Sequence, residues 1–180
     1  MSLPDLLGVI RILMTPLVMV LVLTDSRAGF LVAAALFVIA AFTDFLDGYF
    51  ARRWDIGTVL GAFIDSTADK LLVTGTLLAL IAVDRVSVWA ALIIIAREIV
   101  VMTLRGVVAI EGELVRPSIW GKAKANVQYI AIVLAMLRLF KPLGPLFLDE
   151  WVMWVAVLLT LASGWGYVQA FRSVVGRVDR

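Results

Sequence analysis

The sequence contains no cysteine and no histidine. The first absence excludes disulfides, thiolate metal sites and cysteine nucleophiles. The second removes the side chain that most often acts as general base near neutral pH, so acid–base chemistry falls to carboxylates, lysines or tyrosines. Charge is also scarce. Asp, Glu, Lys and Arg make up 17% of the 180 residues, against 63% hydrophobic, and the mean hydropathy is +1.04. That balance lies outside the soluble range and reads as an integral membrane protein. Only helices and closed barrels satisfy their own backbone in lipid, and the long apolar runs here lack the two-residue alternation of a barrel. The expectation is an all-α bundle of six transmembrane helices, one domain over residues 1–180.

A span needs about 20 predominantly apolar residues. Six such segments fit, at roughly 6–24, 30–52, 57–82, 87–109, 122–139 and 147–172, separated by polar or Gly/Pro-containing stretches such as "TDSRAG" and "KPLGP". The N-terminal segment lacks a basic leader and a small-residue cleavage pattern, and is expected to be a retained first helix. Pro4 and Asp5 either begin that helix directly or open a short N-terminal interfacial helix with Arg11 near the headgroups. Arg52, Arg53, Arg105, Arg116, Lys122, Lys124, Arg172, Arg177 and Arg180 fall on one side of this layout, and Arg27, Arg85, Arg138 and Lys141 on the other. The richer side is expected to be cytoplasmic, with both termini on it. Trp54, Trp89, Trp120 and Trp151 lie near span ends, where indoles anchor at the interface.

Against this background the stretch "AAFTDFLDGYFARRWDIGTVLGAFIDSTADKLLV" (40–73) is anomalous, because it places four aspartates in apolar segments. Asp44 and Asp47 are spaced i, i+3 on one stripe with Gly48, Ala51 and Arg52. Gly61, Asp65 and Asp69 are spaced i, i+4, i+8 on the next helix. A short connection makes the two helices antiparallel neighbours, so face to face they would gather four carboxylates near the cytoplasmic end. Such a cluster repels itself unless cations compensate it. Oxygen-only ligands favour Mg²⁺, Mn²⁺ or Ca²⁺, and paired cations suit in-line attack at phosphorus. The small residues on the same stripes either open room for a ligand or let the helices approach closely. A structural role would pair the aspartates with Arg52, Lys70 or Arg97. A cation pathway would distribute them across the membrane depth, and a non-catalytic scaffold would not need matched stripes.

At these positions the sequence resembles the CDP-alcohol phosphotransferase family, whose pattern is Asp-x2-Asp-Gly-x2-Ala-Arg, about eight residues, then Gly-x3-Asp-x3-Asp. Asp44, Asp47, Gly48, Ala51, Arg52, Gly61, Asp65 and Asp69 match all eight positions. The resemblance implies displacement of CMP from a CDP-linked donor by an alcohol, with formation of a phosphodiester. It implies that Asp44, Asp47 and Asp65 ligate two Mg²⁺ or Mn²⁺ ions, and that Asp69 shares a metal and acts as general base. Gly48, Ala51 and Gly61 would line the cytidine pocket with Arg52 near the phosphates, and a homodimer is implied.

The segment "AREIVVMTLRGVVAIEGELVRPSIWGKAKANVQ" (96–128) resembles the branch of the family that joins CDP-diacylglycerol to glycerol 3-phosphate, through Ala96-Arg97-Glu98, Leu104-Arg105, Ser118, Gly121-Lys122, Lys124 and Gln128. Arg105, Lys122 and Lys124, with Arg97 deeper in its helix, are the expected ligands of the acceptor phosphate. Neighbouring helical positions point about 100° apart, so Arg97 and Glu98 are expected to find separate partners. Ser66, Ala125, Asp5 and Gly8 depart from the residues usual in that branch. Phosphatidylglycerol, as in a cardiolipin synthase, and inositol phosphate therefore stay open as acceptors.

Overall fold

In the computed structural model the chain forms six α-helices: α1 Leu3–Leu23, α2 Arg27–Trp54, α3 Val59–Ala82, α4 Val88–Ile110, α5 Ile119–Leu137 and α6 Leu148–Val178. The described residues are 3–54, 59–110, 119–139 and 142–178. Side chains are described for 6–43, 61, 63–104, 106, 124–139 and 142–164. The six helices fall where the apolar runs place them, and the differences at their ends have local causes. The second helix begins ahead of residue 30 because Ser26 caps it, its Oγ accepting the Gly29 N–H at 3.0 Å. Thr24 closes the preceding turn through a 2.7 Å bond to the Leu21 carbonyl, and Asp25 turns the chain at φ 46°. Before α6, Glu150 reaches back to accept the Phe147 N–H at 2.7 Å, half of a capping box.

The first helix is continuous from Leu3, so the short interfacial helix considered for the N-terminus does not form as a separate element among the described residues. Arg11 is not near the surface. It is 2% exposed and donates to Asp65 Oδ1 at 3.0 Å. Two glycines permit that approach of α1 to α3. A Cβ on Gly8 would stand 2.7 Å from Ile64 Cγ2, and one on Gly75 would stand 2.8 Å from Thr15 Cγ2 and 2.9 Å from Met19 Sδ. These are the close backbone contacts that small residues allow in helix pairs.

The expected pairing of α2 with α3 concerns the end of α2 that holds residues 44–52, whose side chains lie outside the described residues. Among the described residues α3 lies chiefly along α1, whereas α2 meets α1 and α5 and only lightly touches α3. Helix α6 packs on α5 and α4. Phe37, Leu72, Leu77, Leu80, Ile94, Ile132, Met136 and Val157 fill the interior between the helices. The polar groups Arg11, Glu98, Lys124, Gln128 and Asp149 are buried as well, while Leu13, Leu17, Val20, Leu78, Leu92, Ile130 and Leu158 are exposed. Leu6–Leu23 is long and apolar enough to cross a membrane. Arg27–Thr43 and Lys124–Leu137 are shorter apolar helices.

Beyond the C-terminal end of α3, Arg138 ties the loops together. Its guanidinium lies 4.3 Å from the Phe147 ring centroid and 3.3 Å from Asp149, and it donates to the Arg85 carbonyl at 3.4 Å. Arg85 covers the Phe30 ring at 4.5 Å. Burial there, then the charge of Arg138, lowers the Arg85 pKa from its ordinary value.

Candidate active site

Asp65 and Asp69 stand one turn apart on α3, with Gly61 a turn earlier. Arg11 binds one oxygen of Asp65, yet that side chain remains 44% exposed, so part of the carboxylate is open to a further ligand. Asp69 is more enclosed. Lys70 Nζ donates to its Oδ2 at 2.7 Å, and the phenol of Tyr129, arriving from α5, donates to its Oδ1. The Tyr129 ring is held edge-on to Phe37 of α2, with centroids 5.7 Å apart. Three helices thus fix one carboxylate.

Next to Asp69 lies a charged network centred on Glu98. Its Oε2 binds Lys70 at 3.0 Å, and its Oε1 binds Lys124 and also Arg97 at 3.3 Å. Arg97 donates on to Ser163 Oγ of α6 at 2.9 Å. The expectation that Arg97 and Glu98 go to separate partners is therefore corrected. The Cβ vectors diverge, but the long guanidinium stem bends back to the neighbouring carboxylate while keeping its bond to α6. Lys70 is shared between Asp69 and Glu98. The network holds three cations against two carboxylates, an excess of one positive charge in a partly desolvated setting. That favours an anionic ligand at its edge.

A small cavity of about 20 Å³ lies between these groups, lined by Asp69, Lys70, Glu98, Lys124, Gln128 and Tyr129, with Val73 and Ala125. Of the residues expected from the sequence, Asp69, Arg97 and Lys124 come together here, and Asp65 and Gly61 continue the same α3 stripe. Asp44, Asp47, Gly48, Ala51 and Arg52 are on α2, Arg105 is on α4 and Lys122 is on α5. Their side chains lie outside the described residues.

Three contributors carried no signal in the sequence for the partners they find. Arg11 looks like an interfacial arginine because its partner is 54 positions away. Tyr129 looks like an aromatic core residue. Glu98 stood in the Ala96-Arg97-Glu98 match, which names no partner for it.

Asp65 and Asp69 have the donor type that the implied cations take, with both oxygens of Asp69 held by Lys70 and Tyr129. Asp65 and Asp69 offer hard oxygen donors one helical turn apart, and the open face of Asp65 leaves a coordination position.

The family model for CDP-alcohol phosphatidyltransferases matches residues 1–162, which include the whole carboxylate motif. The chain belongs to that family of membrane-associated enzymes. It is similar to CDP-diacylglycerol–glycerol-3-phosphate 3-phosphatidyltransferase of Bacillus subtilis (strain 168), with 37% identity covering 92% of this chain and 93% of the relative. The enzymes of the same name from Rickettsia typhi and Pseudomonas fluorescens are each 34% identical. Those matches cover 96% of this chain in both cases, and 98% and 90% of the relatives.

Proposed function

We propose that the protein transfers the phosphatidyl group from CDP-diacylglycerol to sn-glycerol 3-phosphate, giving phosphatidylglycerophosphate and CMP. The observation that carries this is the similarity, over nearly the whole chain, to enzymes named for that reaction. The site is chemically suited to it. Asp69 takes the proton of the acceptor's primary hydroxyl, whose oxygen forms a bond to the donor's β-phosphorus, and the P–O bond to CMP breaks. The positive excess around Lys70, Arg97 and Lys124, extended by Arg105 and Lys122, draws the acceptor's phosphate. Gly48, Ala51 and Gly61 line the cytidine pocket, with Arg52 near the donor phosphates. Asp44, Asp47, Asp65 and Asp69 hold two divalent cations, Mg²⁺ or Mn²⁺. When bound, these supply neutralisation of the diphosphate.

The buried charges and exposed leucines suit a bundle whose outer surface is wetted by lipid, so all six helices are assigned as spans. The lysine and arginine bias puts the motif end in the cytoplasm. The protein is assigned as a homodimer on the family resemblance.

Purified protein with Mn²⁺ and CDP-diacylglycerol is expected to release CMP with glycerol 3-phosphate as acceptor. Turnover with phosphatidylglycerol or inositol phosphate and none with glycerol 3-phosphate would replace the acceptor. A narrower expectation concerns Tyr129. Tyr129→Phe keeps the ring against Phe37 but removes the bond that orients Asp69. It should lower kcat by about tenfold with KM values little changed, since small misplacements of a reacting group weigh heavily on rate. An unchanged kcat, or a rise in KM matching the fall in kcat, would remove Tyr129 from this role.

A further inference from the structure

The Gln128 side chain belongs to the cavity beside Asp69 but takes part in none of the bonds around it. It is 3% exposed and lines the cavity together with Asp69, Lys124 and Tyr129. Its Oε1 is buried, and among the described residues it has no hydrogen-bond partner. Buried polar atoms are rarely left in that state, and those that are call for a partner supplied from elsewhere. Whichever way the amide is turned, one of its two polar ends faces the same deficit. Lys124 and Gln128 are spaced i, i+4, so α5 presents the ammonium and the amide on one face toward α3.

The size of the cavity limits what that partner can be. A cavity of about 20 Å³ has room for a group the size of a hydroxyl. The unpaired Oε1 calls for a donor, which a hydroxyl supplies and a phosphate dianion does not, so this position differs from the cationic edge that draws the acceptor's phosphate. The acceptor in the reading above presents three groups: a primary hydroxyl that must reach Asp69, a phosphate that belongs with the basic residues, and a secondary hydroxyl one carbon from the first. A group that seats beside Asp69, is the size of a hydroxyl and carries both a donor and an acceptor matches the secondary hydroxyl.

We infer that Gln128 is a specificity-determining residue, and that its amide recognises the hydroxyl vicinal to the one that attacks. The inference rests on the proposed acceptor chemistry. It adds that this enzyme reads a 1,2-diol rather than a simple alcohol carrying a phosphate. Gln128 does not touch the transferred proton. It holds the neighbouring carbon, and that fixes how the primary hydroxyl points at Asp69.

The test compares glycerol 3-phosphate with 3-hydroxypropyl phosphate, which lacks only the secondary hydroxyl, in CMP-release assays on the full-length protein. The wild-type enzyme should favour glycerol 3-phosphate in kcat/KM by about a hundredfold or more, because a site built around a hydroxyl rejects the analogue that leaves it unpaired. Gln128→Met keeps the volume and removes the amide. It should lower kcat/KM for glycerol 3-phosphate and leave the deoxy acceptor nearly unchanged, so that the preference shrinks to within about threefold. A wild-type enzyme that uses both acceptors equally overturns the inference without any variant. A Gln128→Met enzyme that keeps the wild-type preference overturns it too. If wild type turns over neither compound but does use phosphatidylglycerol or inositol phosphate, the acceptor assignment fails instead, and the two failures are told apart.

Discussion

Asp69→Asn is expected to abolish CMP release, with a loss of about a thousandfold or more in kcat, while the purified variant should keep the helical content and gel-filtration behaviour of the parent. General-base contributions of about 10² to 10⁴ are usual, and Asp69 also belongs to the cation-binding set, which puts the loss toward the upper end. Asparagine has the shape of the carboxylate and still accepts the phenol hydrogen of Tyr129. It cannot take the acceptor's proton. Its amide also sits beside Lys70 without neutralising it, but Lys70 keeps its 3.0 Å bond to Glu98, so the fold survives. The measurement is a single-turnover assay with saturating CDP-diacylglycerol. Retained turnover in Asp69→Asn would take the base role from this residue and return it to the helix-α2 aspartates.

The second large effect is on stability. Glu98→Ala should lower the melting temperature of the detergent-solubilised protein sharply, with a loss of about 3–5 kcal/mol, because removing one member of a buried ionic network strands the others. Lys124, 5% exposed at its side chain, and Arg97, 12% exposed, would face Lys70 with no carboxylate between them. Glu98→Gln keeps an acceptor in place and is expected to fall between the alanine variant and wild type. A thermal melt of Glu98→Ala matching wild type would show that the cations find other partners without cost, and the network would lose its structural standing.

The helices were readable from the lengths of their apolar runs. Their ends were less so, since the start of α2 turns on one capping bond from Ser26. The carboxylate motif was readable because aspartate is too costly in such segments to stand without a reason. What surrounds it was not. Arg11 meets Asp65 only through the packing of α1 on α3, and helical periodicity carries no information about which non-adjacent helix is the neighbour. The close approach of α1 to α3 that Gly8 and Gly75 permit was likewise not signalled in the sequence. Arg97 and Glu98 were separated by a rule about Cβ directions that a flexible four-bond stem evades. Tyr129 and Gln128 illustrate the same limit. Tyr129 is ordinary in sequence, Gln128 is there only part of a resemblance, and each acquires a role from the carboxylate or cavity it is brought to.

The bond from Arg11 to Asp65 also bears on how far this enzyme can be treated as modular. Residues 44–69 hold every position of the family motif, and a graft of that two-helix segment into another membrane scaffold would appear to transplant the site. It would leave behind the guanidinium that orients Asp65 and the glycine at position 8 that lets it approach. The smallest portable unit therefore begins in the first helix, before any motif residue. During synthesis that helix precedes α3, so α3 has a template to dock on before α4 to α6 exist.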